Sequence, residues 1–186
     1  MEEKAMEPKS SSRMAVILSL ALLLSAGQGA VAQAPAARPA RPNLAPLISL
    51  AEARVIIDGA TAFARDGNMR AAVVVVDASG NLISADTMDG VRFNDARGAE
   101  GKAFAAAIFR EPTQGLSELA KTRPDRYFGI MNMYAGKVYL VGGGVPLAVD
   151  GKLVGAVGVA GLPEFVDEKA ARAGIAAWEK FRATAK

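Results

Sequence analysis

A chain of 186 residues that is 51% hydrophobic and 22% charged has the make-up of one globular domain with a substantial core, which excludes disorder for its bulk. Its 22 Lys and Arg stand against 19 Asp and Glu, a net charge of +3 without a basic tract, and with one Trp and three Tyr to stack on bases it is not expected to bind nucleic acid. Cysteine and histidine are both absent, so disulfides, thiolate metal sites, Cys or Ser–His nucleophiles and imidazole ligands are excluded.

Residues 14–24 (MAVILSLALLL) form an apolar run short for a bilayer span but suited to the core of a signal peptide, and Ala30-Val31-Ala32 supplies the small residues of a cleavage site. The expectation is a signal peptide over residues 1–32, with an uncleaved amino-terminal anchor as the alternative. Glu2, Glu3 and Glu7 are unusual in such a segment, which raises Met6 or Met14 as the true start. After cleavage the protein is expected to be periplasmic or secreted, with no stable membrane insertion. Residues 33–46 (QAPAARPARPNLAP) carry no periodic apolar face and read as a Pro/Ala-rich linker, leaving residues 47–186 as the folded domain.

Ser49 and Glu52 make a Ser-x-x-Glu capping box, and Leu50, Ala53, Ile56, Ile57, Ala60 and Phe63 recur on one helical face until Asp66-Gly67. Residues 71–76 are a continuous apolar run ending in four β-branched valines, and the turn at 77–80 leads to a return strand over 82–86, so a hairpin is expected with both faces of its first strand covered. A second helix is expected over about 95–109, capped by Asn94 and stopped by Pro112. Its glycines and alanines leave so little bulk that it must lie close to a neighbour, either the sheet or a flat ligand. Thr113 is placed as the cap of a short helix to about Lys121, and residues 124–134 as irregular or single-turn.

The densest signals lie in residues 138–161, VYLVGGGVPLAVDGKLVGAVGVAG. Residues 138–141 read as a buried strand, 147–149 as its resumption, Asp150-Gly151 as a type I′ hairpin turn, and 152–159 as the partner strand. Pro146 fits only an edge or a bulge. Gly142, Gly143 and Gly144 either bend one long strand or let main-chain amides face an anionic ligand. The triplet sits between strands and lacks a following Lys-Ser pair, so it is no phosphate loop. The last helix is expected from near Pro163, with Glu164, Asp167 and Glu168 in its first turn and Val166, Ala170, Ala173, Gly174, Ala177, Trp178 and Phe181 on one side. Together these elements predict an α/β fold with a five-stranded, mostly antiparallel sheet flanked by helices.

The segments VVVVDASGNLISADTMDG, ARGAEGKAFAAAIFREPTQGL and VYLVGGGVPLAVDGKLVGAVGVAG resemble, in order and spacing, the GlcG/HbpS-like haem-binding family, once grouped as a domain of unknown function. The resemblance covers about residues 50–181. It implies a profilin-like sandwich, homo-oligomeric assembly and, in some members, binding of haem or a related tetrapyrrole for sensing, storage or degradation. Without histidine, the iron donors left are Met, Tyr, Lys or weak oxygen ligands such as Thr113. Arg97 and Lys102 are the cations expected for haem propionates, or else they anchor their helix to Asp77 or Glu100. Phe104 stands where the family usually has a small hydroxyl residue, and either stacks on a porphyrin or fills the core. Tyr127, Met131, Met133 and Tyr134 form a cluster of soft and phenolic donors that serves as axial ligands or as apolar packing.

No carboxylate pair is spaced for acid–base work, Asp77 having a turn to initiate, and no metal-ion site is expected. The leading expectation is an exported oligomeric protein that binds haem or a similar tetrapyrrole between the small-residue helix and the glycine strand, within one subunit or at a subunit contact. The alternative is an enzyme or accessory protein acting on a small organic acid such as glycolate, with Arg97 and the glycine amides holding the carboxylate. A third reading is a structural oligomer that works through a sensor kinase or other protein partner.

Overall fold

The computed structural model describes residues 47–163 and 165–184, so the expected signal peptide and linker lie outside the described residues. Helix α1 (Leu50–Asp66) starts at the Ser49–Glu52 capping box, with Glu52 N–H donating to Ser49 Oγ at 3.2 Å and Ser49 N–H to Glu52 Oε2 at 3.0 Å. Strands β1 (Ala72–Asp77) and β2 (Leu82–Thr87) form the expected hairpin, and every residue of β1 is buried. Helix α2 (Phe93–Phe109) begins earlier than the sequence suggested. Its N-cap is Arg92, not Asn94, and makes no side-chain capping bond. It ends where Arg110 turns left-handed, at φ 59°, two residues before Pro112.

Short helices α3 (Thr113–Ser117) and α4 (Leu119–Thr122) follow, and then α5 (Pro124–Met133), a full helix where irregular chain was expected. Pro124 takes the first helical position, where a missing N–H costs nothing. Strands β3 (Gly144–Val149) and β4 (Lys152–Ala160) join through Asp150 and Gly151 at φ 50° and 73°, the left-handed pair that a two-residue hairpin demands. Helix α6 (Val166–Thr184) closes the domain.

The sheet runs β2-β1-β4-β3, antiparallel throughout, and has four strands among the described residues rather than five. Residues 138–141 are the strand that does not form. Val138 and Leu140 are buried, but against Ala105, Leu116 and Ile130 of the helices, while the N–H of Tyr139 between them donates to the carbonyl of Gly101 in α2 at 3.2 Å. An alternating inside–outside pattern arises wherever extended chain lies on any apolar surface, so it did not distinguish a helix from a neighbouring strand. Pro146 sits on the outermost strand, where a missing N–H leaves no ladder bond unmade.

Helices α1 and α6 cover one face of the sheet with large side chains, including Ile56, Ile57 and Trp178 over Val73, Val75, Leu147 and Val157. Each such side chain contributes roughly 1.5–3 kcal/mol on burial. Helix α2 covers the other face through small ones: Ala99, Ala103, Ala106 and Ala107 meet Ala72, Val74, Val76, Ala156 and Ala160. The close sheet packing expected of the small-residue helix is what forms.

Candidate functional site

The outer side of α2 faces residues 138–141 across two glycines. A Cβ on Gly101 would lie 2.8 Å from Tyr139 Cβ, so glycine there lets this segment settle on the helix, and one on Gly98 would lie 3.2 Å from Tyr139 Cε1, crowding the ring. Where the two diverge they frame a cleft of 680 Å³, within the range of small-molecule sites. Its chemistry comes from Arg92, Arg97, Lys102, Met131, Tyr139 and Asp167.

Lys102 forms the floor, only 2% exposed. Its ammonium donates to Asp167 Oδ2 at 2.6 Å and to the Val159 carbonyl at 3.0 Å, while Asp167 Oδ1 accepts from the Leu162 N–H at 3.0 Å. Burial pushes the Asp167 carboxyl above its ordinary value, the Lys102 charge opposing and Asp95 adding to the rise. A buried ammonium requires such a partner, so this pair ties α2 to the start of α6. The mouth is different: Arg92 pairs with Asp95 at 2.9 Å and Arg97 with Glu100 at 2.6 Å, and both guanidinium groups are mostly exposed. Exposed pairs of this kind hold weakly, and a guanidinium keeps donors free for an incoming anion.

The site residues expected from sequence divide between the cleft and its supports. Arg97, Lys102 and Met131 line it. Arg97 does pair with Glu100, but the partner of Lys102 is Asp167, neither Asp77 nor Glu100. Gly143 and Gly144 make no ligand cradle. At φ 120°, a Cβ on Gly143 would fall 2.7 Å from Asp167 Cβ and 3.1 Å from Lys102 Nζ, and one on Gly144 would strike the Lys102 carbonyl. The two glycines lay main chain directly over the buried ion pair. Gly142 is pressed against Gln114 beside a separate hollow of 250 Å³.

Thr113 is fully buried, donating to the Val141 carbonyl at 2.7 Å and accepting from the Gly144 N–H at 2.8 Å, which fixes the glycine segment and keeps the hydroxyl away from the cleft surface. It stands inside α3 rather than capping it. Phe104 turns away to a neighbouring hollow of 470 Å³ beside Gly80 and Lys137, its ring edge-on to Tyr134 at 6.0 Å. Tyr127 packs edge-on to Phe128 at 5.5 Å, against the apolar cluster of Leu116 and Ile130.

Sequence reasoning missed Tyr139, Asp167 and Arg92. Tyr139 had a readable signal, an aromatic residue between two apolar ones in a run that alternates. Asp167 had an adequate local role in the first turn of α6, and nothing local points to a lysine 65 residues away. Among the described residues no group of three or more His, Cys, Asp or Glu side chains is placed to hold a metal ion, and no helix is long and apolar enough to cross a membrane.

Residues 48–176 match the family described as haem degrading protein HbpS-like. The chain is 31% identical to protein GlcG of Escherichia coli K12 over 113 residues, which is 61% of this chain and 81% of that protein. Its fold is similar to the crystal structure of HbpS, with a TM-score of 0.65 and 30% identity over 76% of this chain and 96% of that one. It is also similar to PduOC, solved as a haem complex, with a TM-score of 0.65 and 27% identity over 70% of this chain and 94% of that one. Because the family match spans most of the chain, and with it every residue that frames the cleft from Arg92 to Asp167, the chain belongs to the HbpS-like family.

Proposed function

We propose that this protein binds haem or a closely related tetrapyrrole in the cleft between α2 and residues 138–141. The observation that carries the reading is the lining: two exposed guanidinium groups at the mouth, an aromatic wall at Tyr139, and a thioether at Met131, all in one opening of 680 Å³. The same residues fit the group by chemistry. Arg92 and Arg97 suit propionates, and phenol and thioether are both known donors to haem iron. Membership of the HbpS-like family and the haem complex of PduOC support the same ligand. Bound haem would supply redox and oxygen chemistry of its own, and the chain's part is to bind, orient and shield it. Lys102 is committed to Asp167, so it holds the floor in place and takes no direct part in catching the ligand.

The protein is further proposed to be exported, on the apolar run at residues 14–24 and the Ala-Val-Ala site, and to work as an oligomer, for which exposed Phe93, Phe128 and Met133 offer apolar surface. Titration of the purified chain with haemin tests the ligand. A saturable Soret shift is expected, and a spectrum that stays that of free haemin under oxidising and reducing conditions would overturn the reading. The polar mouth favours one second reading, a small organic acid held by Arg92 and Arg97. Thermal stabilisation by glycolate or a similar acid, with none by haemin, would select it.

A further inference from the structure

We infer that Tyr139 is the residue that would hold the iron of ferric haem in this cleft, through its phenolic oxygen, an assignment that rests on the haem reading above. The donors lining the opening can be taken one at a time. Lys102 and Asp167 are bound to each other and largely buried, and Asp167 also accepts from Leu162. Asp95 faces Arg92 at 2.9 and 3.1 Å, and a carboxylate is not among the usual donors to haem iron. The chain contains no histidine or cysteine. Tyr139 and Met131 are left.

Ferric iron is a hard, charged centre that prefers an anionic oxygen, whereas a thioether favours the reduced metal. Tyr139 is also the better held of the two. Its backbone is pinned by buried Val138 and Leu140 on either side and by the bond to the Gly101 carbonyl, and one edge of its ring is set against Gly98, yet the residue is 42% exposed. The Lys102 ammonium lies 5.8 Å from the ring centre and braces it from below. Coordination exchanges the phenolic O–H for an Fe–O bond and releases the proton to solvent. Gly98 and Gly101 then have a functional consequence: they set the tyrosine on the wall of the cleft at a fixed depth.

The test compares the full-length chain with Tyr139→Phe and Met131→Leu, each titrated with ferric haemin and with metal-free protoporphyrin. Tyr139→Phe is expected to lose the phenolate-to-iron charge-transfer absorption and to weaken ferric haemin binding at least about tenfold, the lower end of what loss of even an outer-sphere partner costs. Metal-free protoporphyrin should bind the parent and Tyr139→Phe alike, and the phenolate-to-iron absorption should survive Met131→Leu even where the affinity of that variant falls. Reduction with dithionite should weaken binding in the parent protein. An unchanged ferric spectrum in Tyr139→Phe overturns the assignment, and so does equal loss of haemin and metal-free protoporphyrin, which would make the ring a stacking wall only. If the parent protein itself leaves haemin free, the haem reading falls instead.

Discussion

The two faces of the sheet are built by opposite means. On the α1/α6 face, Ile, Val, Leu and Trp side chains fill space, and stability comes from apolar volume taken out of water. On the α2 face there is almost no volume to fill: Ala156, Gly158 and Ala160 of β4 lie against Ala99 and Ala103, and a Cβ on Gly158 would collide with the Ala99 carbonyl and sit 2.5 Å from Ala103 N. A layer held by side-chain bulk tolerates small losses, because neighbours can relax inward. Main chain pressed on main chain cannot yield in the other direction. The thin face is also where the cleft lies, since bringing α2 down to the sheet is what places Lys102 beneath Gly143 and beside Asp167.

The largest effect that would test this contrast is removal of the buried cation. Lys102→Met should cost about 3–5 kcal/mol at neutral pH, because the Asp167 carboxylate is left buried without a countercharge. The folded Asp167 carboxyl already sits above its ordinary 3.8, so its contribution is complete below that value and is lost as pH rises through the folded pKa. Without Lys102 opposing the rise, that loss deepens, and the variant's deficit in denaturant melts should shrink from pH 7 towards pH 4. A deficit independent of pH would show that Lys102 acts through packing alone.

Next comes one added methyl on each kind of surface against one removed. Gly158→Ala should cost about 3 kcal/mol by forcing α2 off the sheet, whereas Ile56→Val on the thick face should cost about 1 kcal/mol. Equal losses by thermal unfolding would erase the distinction between the faces.

The smallest effect concerns the junction of α1 and α6 on the thick side, where Glu52 accepts from Arg182 at 2.5 Å and from the Trp178 indole at 3.2 Å. Burial raises its pKa, but the bonds from Ser49, Trp178 and Arg182 together bring it down to about 2. A depressed carboxyl contributes stability above its unfolded value, near 4.5, and loses it as pH falls through about 2. Glu52→Gln should therefore cost about 1 kcal/mol at pH 7, the difference between a charged and a neutral acceptor, and approach parity with the parent at pH 2. Unequal stability at the acid end would count against this role.

What the amino-acid sequence determined by itself was whatever depends on neighbours along the chain. The start of α1 at Ser49, the end of α2 before Pro112, the hairpins at residues 77–80 and 150–151, and the confinement of Pro146 to an edge are each decided by backbone preferences within a few residues. So is the exclusion of imidazole from any ligand set, which composition settles alone. What only the tertiary structure decided was which surface each extended segment met. Val138 and Leu140 carry a strand's alternation but lie against helices, and the glycine triplet suits a ligand cradle as well as it suits a lid over Lys102. The ion pair of Lys102 with Asp167 and the seat of Tyr139 on Gly98 and Gly101 join residues tens of positions apart. Periodicity and capping act over a turn or two of chain, and the choice of such partners belongs to the packing of the whole domain.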